Sequence, residues 1–245
     1  MIELFPSREV ALGIGSWSVH WYGVLYVLAF GMGLGLALRL QKYRGLHLRA
    51  GEWLEVVTWV MAGVLIGGRL GYVLLYGREY FWEQPGQIFN LGQGGMASHG
   101  GFVGVAIALW LASRLQKLNY WQLMDVVVVP IALGLSLGRI GNVINQEIFT
   151  TLLAQILAVG KDLVIAGVVW WHLRRAKGRA GKTTALFLGM YGVLRFLIEY
   201  GREQAWPIVS GLTRGQWYTV PIIVAGVGLW WYFKQTDDQA KTTSK

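Results

Sequence analysis

Seven apolar stretches run through the chain, at residues 19–40, 54–76, 95–112, 124–144, 151–171, 184–200 and 217–233. At about 1.5 Å per helical residue, such stretches are of the length needed to cross roughly 30 Å of hydrocarbon. The expectation is an all-α, polytopic integral membrane protein with seven transmembrane helices. Composition agrees, since 54% of the 245 residues are hydrophobic, 14% are charged and the mean hydropathy is +0.44. The 34 glycines and 13 tryptophans fit closely packed membrane helices with aromatic rings at the headgroup level.

Charge sets the expected topology. Lys42, Arg44 and Arg49 follow the first stretch, Arg114 and Lys117 the third, and Arg174, Arg175, Lys177, Arg179 and Lys182 the fifth. The alternate loops are poorer in Lys and Arg and are balanced by Glu79, Glu83 and Glu203. The positive-inside rule then places the N-terminus outside and the C-terminus in the cytoplasm. The net charge of +9 is thereby a matter of topology and implies no nucleic-acid partner. A single seven-helix domain over 1–233 is expected, with a short, polar, disordered cytoplasmic tail at 234–245. Met1 to Ser18 has no basic n-region with a small-residue cleavage site, so the first stretch is expected to stay as an anchor.

Polar residues inside this apolar frame are the functional candidates. In the expected topology Tyr22 and His99 begin inward-running spans, while Arg69, Arg139 and Arg195 lie in the second halves of outward-running ones. Counting from residue 54, Arg69 sits roughly 22 Å along its span, in the outer third, and the other two arginines fall similarly. A central arginine costs about 3 kcal/mol on insertion scales, so the three need counter-charges, a wet cavity or a bound anion.

Each candidate has a plainer reading. Tyr191, Arg195, Glu199 and Arg202 share one helical face, either as a self-satisfied Arg-Glu ladder or as an anion site with an arginine to offer. Arg69 with Tyr72 and Tyr76 reads equally as a snorkelling arginine with interfacial tyrosines or as part of a site. His99, followed by Gly100 and Gly101, is an interfacial imidazole or a proton acceptor. Arg139 with Asn142 and Asn145 is the strongest set, because an arginine fork grips phosphate while amides bond hydroxyl and ester oxygens. Lys161 and Asp162 are a mutually neutralising pair, or Asp162 reaches an arginine on a neighbouring helix. Gly31, Gly33 and Gly35 read as helix contacts. The chain has no cysteine, so any thiol chemistry uses a thiol of the substrate. No metal and no cofactor are expected, for want of a His/Asp/Glu cluster at ligand spacing.

The stretch Gly138-Arg139-Ile140-Gly141-Asn142-Val143-Ile144-Asn145-Gln146-Glu147 resembles the signature of bacterial prolipoprotein diacylglyceryl transferases. His20 to Gly23, Gly68 to Tyr72, His99 to Gly101, Tyr191 to Arg202 and Gly211 to Gln216 are similar to further pieces of that family, in family order. The resemblance implies a seven-helix enzyme of the bacterial inner membrane. It would move the diacylglyceryl group of phosphatidylglycerol onto the lipobox cysteine of a prolipoprotein signal peptide, releasing glycerol phosphate. Carried over by position, the residues the family relies on would be Tyr22, His99, Arg139, Asn142, Glu147, Tyr191 and Arg195. Among all the candidates, Tyr22, His99, Arg139 and Arg195 are expected to be catalytic, and Asn142, Asn145, Glu147, Tyr191, Glu199, Arg69 and Arg202 to bind substrate. The chain departs from the family at Thr150, where a glycine is usual, and in running straight into Thr151 to Gln155 without an external His-Pro segment. A relative that binds anionic phospholipid without transferring it, and a transporter, are the rival readings.

Overall fold

The computed structural model describes residues 2–4, 9–15, 17–90, 94–148, 150–176, 180–202 and 208–243. Arg8, Lys177, Arg179 and Glu203, which enter the charge pattern, lie outside the described residues. Helices dominate: α1 (Trp21–Leu40), α2 (Ala50–Leu75), a short α3 (Arg78–Glu83), α4 (Ser98–Leu115), α5 (Tyr120–Asn145), α6 (Leu152–Arg175), α7 (Lys182–Ile198) and α8 (Arg214–Thr243). Apart from α3, they match the seven apolar stretches to within a few residues, except that α8 continues to Thr243.

Among the described residues, four helical segments are long and apolar enough to cross a membrane, Trp21–Arg44, Ala50–Leu75, Tyr120–Asn145 and Leu152–Arg175. Large apolar side chains stand exposed along the helices, among them Val27, Leu74, Val103, Leu163 and Val224. Such faces suit a lipid solvent, and the chain is a multi-pass membrane protein.

The chain divides into two compact units, one of residues 1–46 with 124–245 and one of residues 47–123. The first opens with an antiparallel three-stranded meander, β1 (Ile2–Leu4), β2 (Val10–Ile14) and β3 (Trp17–His20), that the apolar pattern alone does not announce. Ile2 pairs with Ile14 and Leu4 with Leu12, while Ile14 pairs with Trp17 across a two-residue loop in which Gly15 takes a φ of 60°. The amide of Trp21 donates to Glu9 O at 3.0 Å and ties the start of α1 to this sheet.

A buried polar hub joins four segments of the same unit. Arg44, expected in a solvated basic loop, is buried and donates through Nε to Asp125 Oδ2 at 2.8 Å. Its other nitrogens donate to Ala176 O at 3.1 Å and Thr183 Oγ1 at 3.0 Å. Asp125, 0% exposed, also accepts from the amides of Gly181 and Thr184, each at 2.8 Å, and from Thr184 Oγ1 at 2.7 Å. Every carboxylate oxygen thus has donors, which is what a buried charge requires. Beside it α7 packs on α8, where a Cβ on Gly226 would lie 2.4 Å from Gly189 N. Lys182 pairs with Asp237 at 2.5 Å, and Thr236 Oγ1 donates to Tyr232 O at 3.0 Å. α8 continues to Thr243, through residues expected to be a disordered tail.

In the second unit α2 and α4 meet along a glycine seam. A Cβ on Gly63 would stand 2.6 Å from Gly104 O, one on Gly67 2.5 Å from Gly100 O, and one on Gly71 2.6 Å from Gly100 Cα. Those backbones touch, as small-residue seams allow in lipid. By contrast, a Cβ on Gly31 or Gly35 of α1 would meet nothing within 4 Å among the described residues, and one on Gly33 would make an ordinary contact with Pro130 at 3.7 Å. The tight helix contacts therefore lie at other glycines than those the sequence singles out. Replacing Gly67 with Leu is expected to destabilise the protein by about 2 kcal/mol or more, whereas Gly31→Ala should stay within about 0.5 kcal/mol of the parent. Thermal unfolding in detergent checks both.

Candidate active site

The end of α5 is shaped by its own hydrogen bonds. The amide of Glu147 donates to Asn142 O at 3.1 Å and that of Gln146 to Val143 O at 3.3 Å, with Gln146 left-handed at a φ of 54°. This Schellman arrangement turns the chain back on the helix and brings Glu147 over its last turn. Ile148 follows at a φ of 75°, which a β-branched residue adopts only under strain.

Four expected site residues converge there. Tyr22, on the first turn of α1, donates its hydroxyl to Glu147 Oε1, and Asn142 Nδ2 donates to the Tyr22 oxygen. Asn142 Nδ2 also reaches Glu147 Oε1 at 3.0 Å, while its Oδ1 accepts from Arg139 NH1 at 3.1 Å. Gly141 makes this possible, since a Cβ there would press to 2.9 Å from the Tyr22 ring. Arg139, Asn142, Glu147 and Tyr22 form one continuous hydrogen-bonded chain. Asn145, the last residue of α5, has a buried Oδ1 that accepts no hydrogen bond from the described residues.

A second cluster forms at the end of α7. Glu199 is buried and its Oε2 accepts from Arg195 NH1 and, at 3.2 Å, from Arg202 NH1. Thr213 Oγ1 approaches Glu199 Oε1 at 3.4 Å, and a Cβ on Gly215 would collide with that carboxylate at 2.2 Å. The ladder seen in the sequence is real, and one carboxylate oxygen, Glu199 Oε2, meets both arginines. Arg195 Nε, though buried, has no acceptor among the described residues. Tyr191, 1% exposed, stacks on Phe187 with ring centroids 5.9 Å apart.

Lys161 and Asp162 link the two clusters. Lys161 Nζ donates to Asp162 Oδ1 and lies 5.2 Å from the centre of the Tyr191 ring, while Asp162 Oδ2 stands 4.0 Å from Arg139 Nε. Both alternatives open in the sequence are therefore realised, the mutual pair and the approach to a neighbouring arginine. Here too two cations share one carboxylate.

Arg69 and His99 belong to the second unit. Arg69 donates from Nε to Ile88 O at 2.8 Å, from NH1 to Gly94 O at 2.6 Å and Gly95 O at 3.1 Å, and from NH2 to Gln87 O at 2.5 Å and Asn90 O at 2.9 Å. All five N–H groups hold backbone carbonyls, and the guanidinium lies 5.0 Å from the Phe81 ring centre. A side chain expected at the substrate has no donor left for a phosphate and instead clamps the segment after α3. His99 is half-buried in the first turn of α4, next to the Gly100 contact with α2.

Sequence reasoning missed two supports. Thr213 and Gln216 cap α8 reciprocally, with Thr213 N–H on Gln216 Oε1 at 3.0 Å and Gln216 N–H on Thr213 Oγ1 at 3.1 Å. Their Thr-x-x-Gln spacing before an apolar run is a legible capping box. At the departure point, Thr150 contributes both its amide and its hydroxyl to Gly201 O, each at 3.3 Å, and Thr151 Oγ1 caps α6 by accepting from the Ala154 amide at 3.2 Å.

Known proteins are similar to this chain along nearly its whole length. A family model described as prolipoprotein diacylglyceryl transferase matches residues 9–232. The chain belongs to that family. It is 32% identical to the phosphatidylglycerol–prolipoprotein diacylglyceryl transferase of Bordetella parapertussis, over 94% of this chain and 97% of that protein. With the enzyme of the same name from Dechloromonas aromatica it shares 34% identity, over 92% and 95% of the two chains. With that from Coxiella burnetii it shares 35%, over 93% and 96%. The chain is a transferase. The alignment with the Bordetella protein spans 254 positions against a chain of 245 residues, so that relative carries residues lacking here.

Lysine in place of Arg69 offers three donors where five are engaged. Arg69→Lys is expected to speed amide hydrogen exchange around Gln87–Asn90 by about tenfold or more, while exchange in the middle of α2 changes little.

Proposed function

We propose that the Tyr22–Asn142–Glu147–Arg139 network, with the Arg195–Glu199–Arg202 cluster, holds phosphatidylglycerol while its diacylglyceryl group passes to a prolipoprotein cysteine. The acceptor is the lipobox cysteine of a signal peptide, the product a thioether, and the leaving group glycerol phosphate. The enzyme is placed in the bacterial cytoplasmic membrane with seven spans, its N-terminus outside and its C-terminus inside. Seven long helices at the seven apolar stretches and the asymmetric loop charges support that reading.

The observation that carries the proposal is a concentration of charge, in which Arg139, Lys161, Arg195 and Arg202 stand among the carboxylates of Glu147, Asp162 and Glu199. Each buried carboxylate of the two linked clusters is shared by two cationic side chains. Such a site has affinity for an anion and answers an arginine's need for one in lipid. Arg139 and Arg195 are assigned the phosphate. Asn142 and Tyr22 orient the headgroup and ester oxygens, with Glu147 fixing both.

In the reaction the thiolate sulfur attacks the glyceryl carbon that bears the phosphate ester. A carbon–sulfur bond forms, the carbon–oxygen bond to phosphate breaks, and glycerol phosphate leaves with the electron pair. Charge grows on the leaving phosphate, where fixed guanidinium groups stabilise it without reorganisation. A free thiol has a pKa near 8.5, so a positive site that favours thiolate also helps the attack. His99 is offered as a proton acceptor by its residue type and its place in the sequence alone. Tyr191 and Arg202 shape the second cluster, and Asn145 is assigned to the headgroup.

Arg139→Gln is expected to lower transfer by about 100-fold or more with the fold intact, since it removes a charge acting on the leaving phosphate. Wild-type turnover in that variant contradicts the assignment. Tyr22→Phe, which removes one hydroxyl from the network, is expected to reduce kcat by about tenfold, read in the same assay at saturating lipid.

A further inference from the structure

One face of α6 stays outside the packed interior. Leu163, Val164, Gly167, Trp170 and Trp171 recur on it at helical spacing and are exposed, while Ile165, Ala166, Val169 and Leu173 on the other side are buried. The exposed face is apolar until the last turn of the helix, where Arg174 and Arg175 stand at its end. From Leu163 to Arg174 is roughly 16 Å of helix, close to half of the roughly 30 Å hydrocarbon core. An acyl chain lying along this face therefore brings its headgroup to the two arginines.

That last turn is shaped as well as basic. Each guanidinium stacks on the tryptophan one turn before it, Arg174 at 4.9 Å from the Trp170 ring centre and Arg175 at 4.8 Å from that of Trp171. These four side chains line a cleft of about 180 Å³. It is several times the roughly 30 Å³ share of a water molecule, which leaves room for a phosphate. Stacking uses the flat face of a guanidinium and leaves its N–H edge to donate. Among the described residues, neither arginine donates a hydrogen bond or meets a carboxylate. The cations beside them are engaged, since Arg44, which donates to Ala176 O, holds Asp125 and Lys182 holds Asp237.

We propose that the cleft at the end of α6 binds the headgroup of one anionic phospholipid, whose acyl chains lie along the exposed face of that helix. The two guanidinium edges meet the phosphate oxygens, and the indole rings lie at the level of the glycerol backbone. This is a second lipid site. Arg174 stands roughly 18 Å along the helix from Asp162, so the lipid held there is not the one that reacts. A free anion gains only the two edges, whereas a lipid gains the apolar face as well. A headgroup with its own ammonium offsets the attraction, so the cleft prefers phosphatidylglycerol to phosphatidylcholine.

Intact-complex mass spectrometry of the purified full-length protein in neutral detergent, titrated with either lipid, counts the molecules retained. Lipid held elsewhere is common to every variant, so differences between proteins read the cleft alone. Arg174→Gln with Arg175→Gln is expected to weaken retention of one phosphatidylglycerol by about tenfold or more, as two charge-assisted contacts are lost. Phosphatidylcholine retention and transfer activity should stay within about twofold of wild type. Trp170→Leu with Trp171→Leu keeps both charges but removes the stacks, should weaken phosphatidylglycerol several-fold, and serves if the arginine variant does not fold. As a control, Arg114→Gln with Lys117→Gln removes the same charge from another basic turn, with Arg114 stacked on Trp110 at 5.6 Å, and should change retention by less than about threefold.

Unchanged phosphatidylglycerol retention in a folded variant of the cleft overturns the site, as does an equal loss in the control, which would mean diffuse attraction by basic loops. Equal loss of phosphatidylcholine overturns it too, because the apolar face alone would then hold lipid. Displacement of the retained lipid by inorganic phosphate would make the cleft a site for free anions and would contradict its assignment to a phospholipid.

Discussion

Charge buried in an apolar chain must be answered by other buried groups, and this need shapes the first unit of the structure. Its burial is expensive without partners, and the partners come from different helices. Arg44 and Asp125 answer it completely, with every acceptor filled and four segments drawn together. At Arg139, Asp162 and Lys161, and again at Arg195, Glu199 and Arg202, two cationic side chains share one carboxylate. On the proposed reading, the contrast separates a structural hub from the phospholipid site within a single unit.

Positioning comes from backbone devices as much as from side chains. The Schellman turn at the end of α5 directs Glu147 toward Tyr22, and Gly141 lets that ring lie against the helix. The reciprocal cap of Thr213 and Gln216 starts α8 beside Glu199, where Gly215 leaves room for the carboxylate. Such placement matters for catalysis, because a phosphate-leaving reaction with no covalent enzyme intermediate depends on orientation and on fixed charge. Thr150, though it departs from the family pattern, is tied to Gly201 close to that same cluster.

The helices were legible because apolar length is a strong signal, and the core of the site because polar groups stand out within it. What the sequence hides is direction. Arg44 counts as a loop cation until Asp125, a lone acid at the head of an apolar run, is seen to meet it. Arg69 looks like an anion ligand until its five donors are found on carbonyls, which no residue pattern encodes. Gly31 and Gly35 share a helical face as readily as Gly63, Gly67 and Gly71, but only the latter meet a neighbour that is itself glycine. The N-terminal meander is short, with strands of three to five residues, so its pairing depends on the turn at Gly15 more than on composition. In the continuation of α8, Asp237 pairs with Lys182, more than fifty residues away.

The account makes the buried cationic clusters a phospholipid site used for chemistry on a substrate thiol, since the chain has no thiol of its own. The most direct measurement is transfer of labelled diacylglyceryl from phosphatidylglycerol to a lipobox peptide, run beside the peptide with alanine in place of its cysteine. The account predicts label on the cysteine peptide alone. Absence of label from both, with phosphatidylglycerol still bound to the protein, would contradict it.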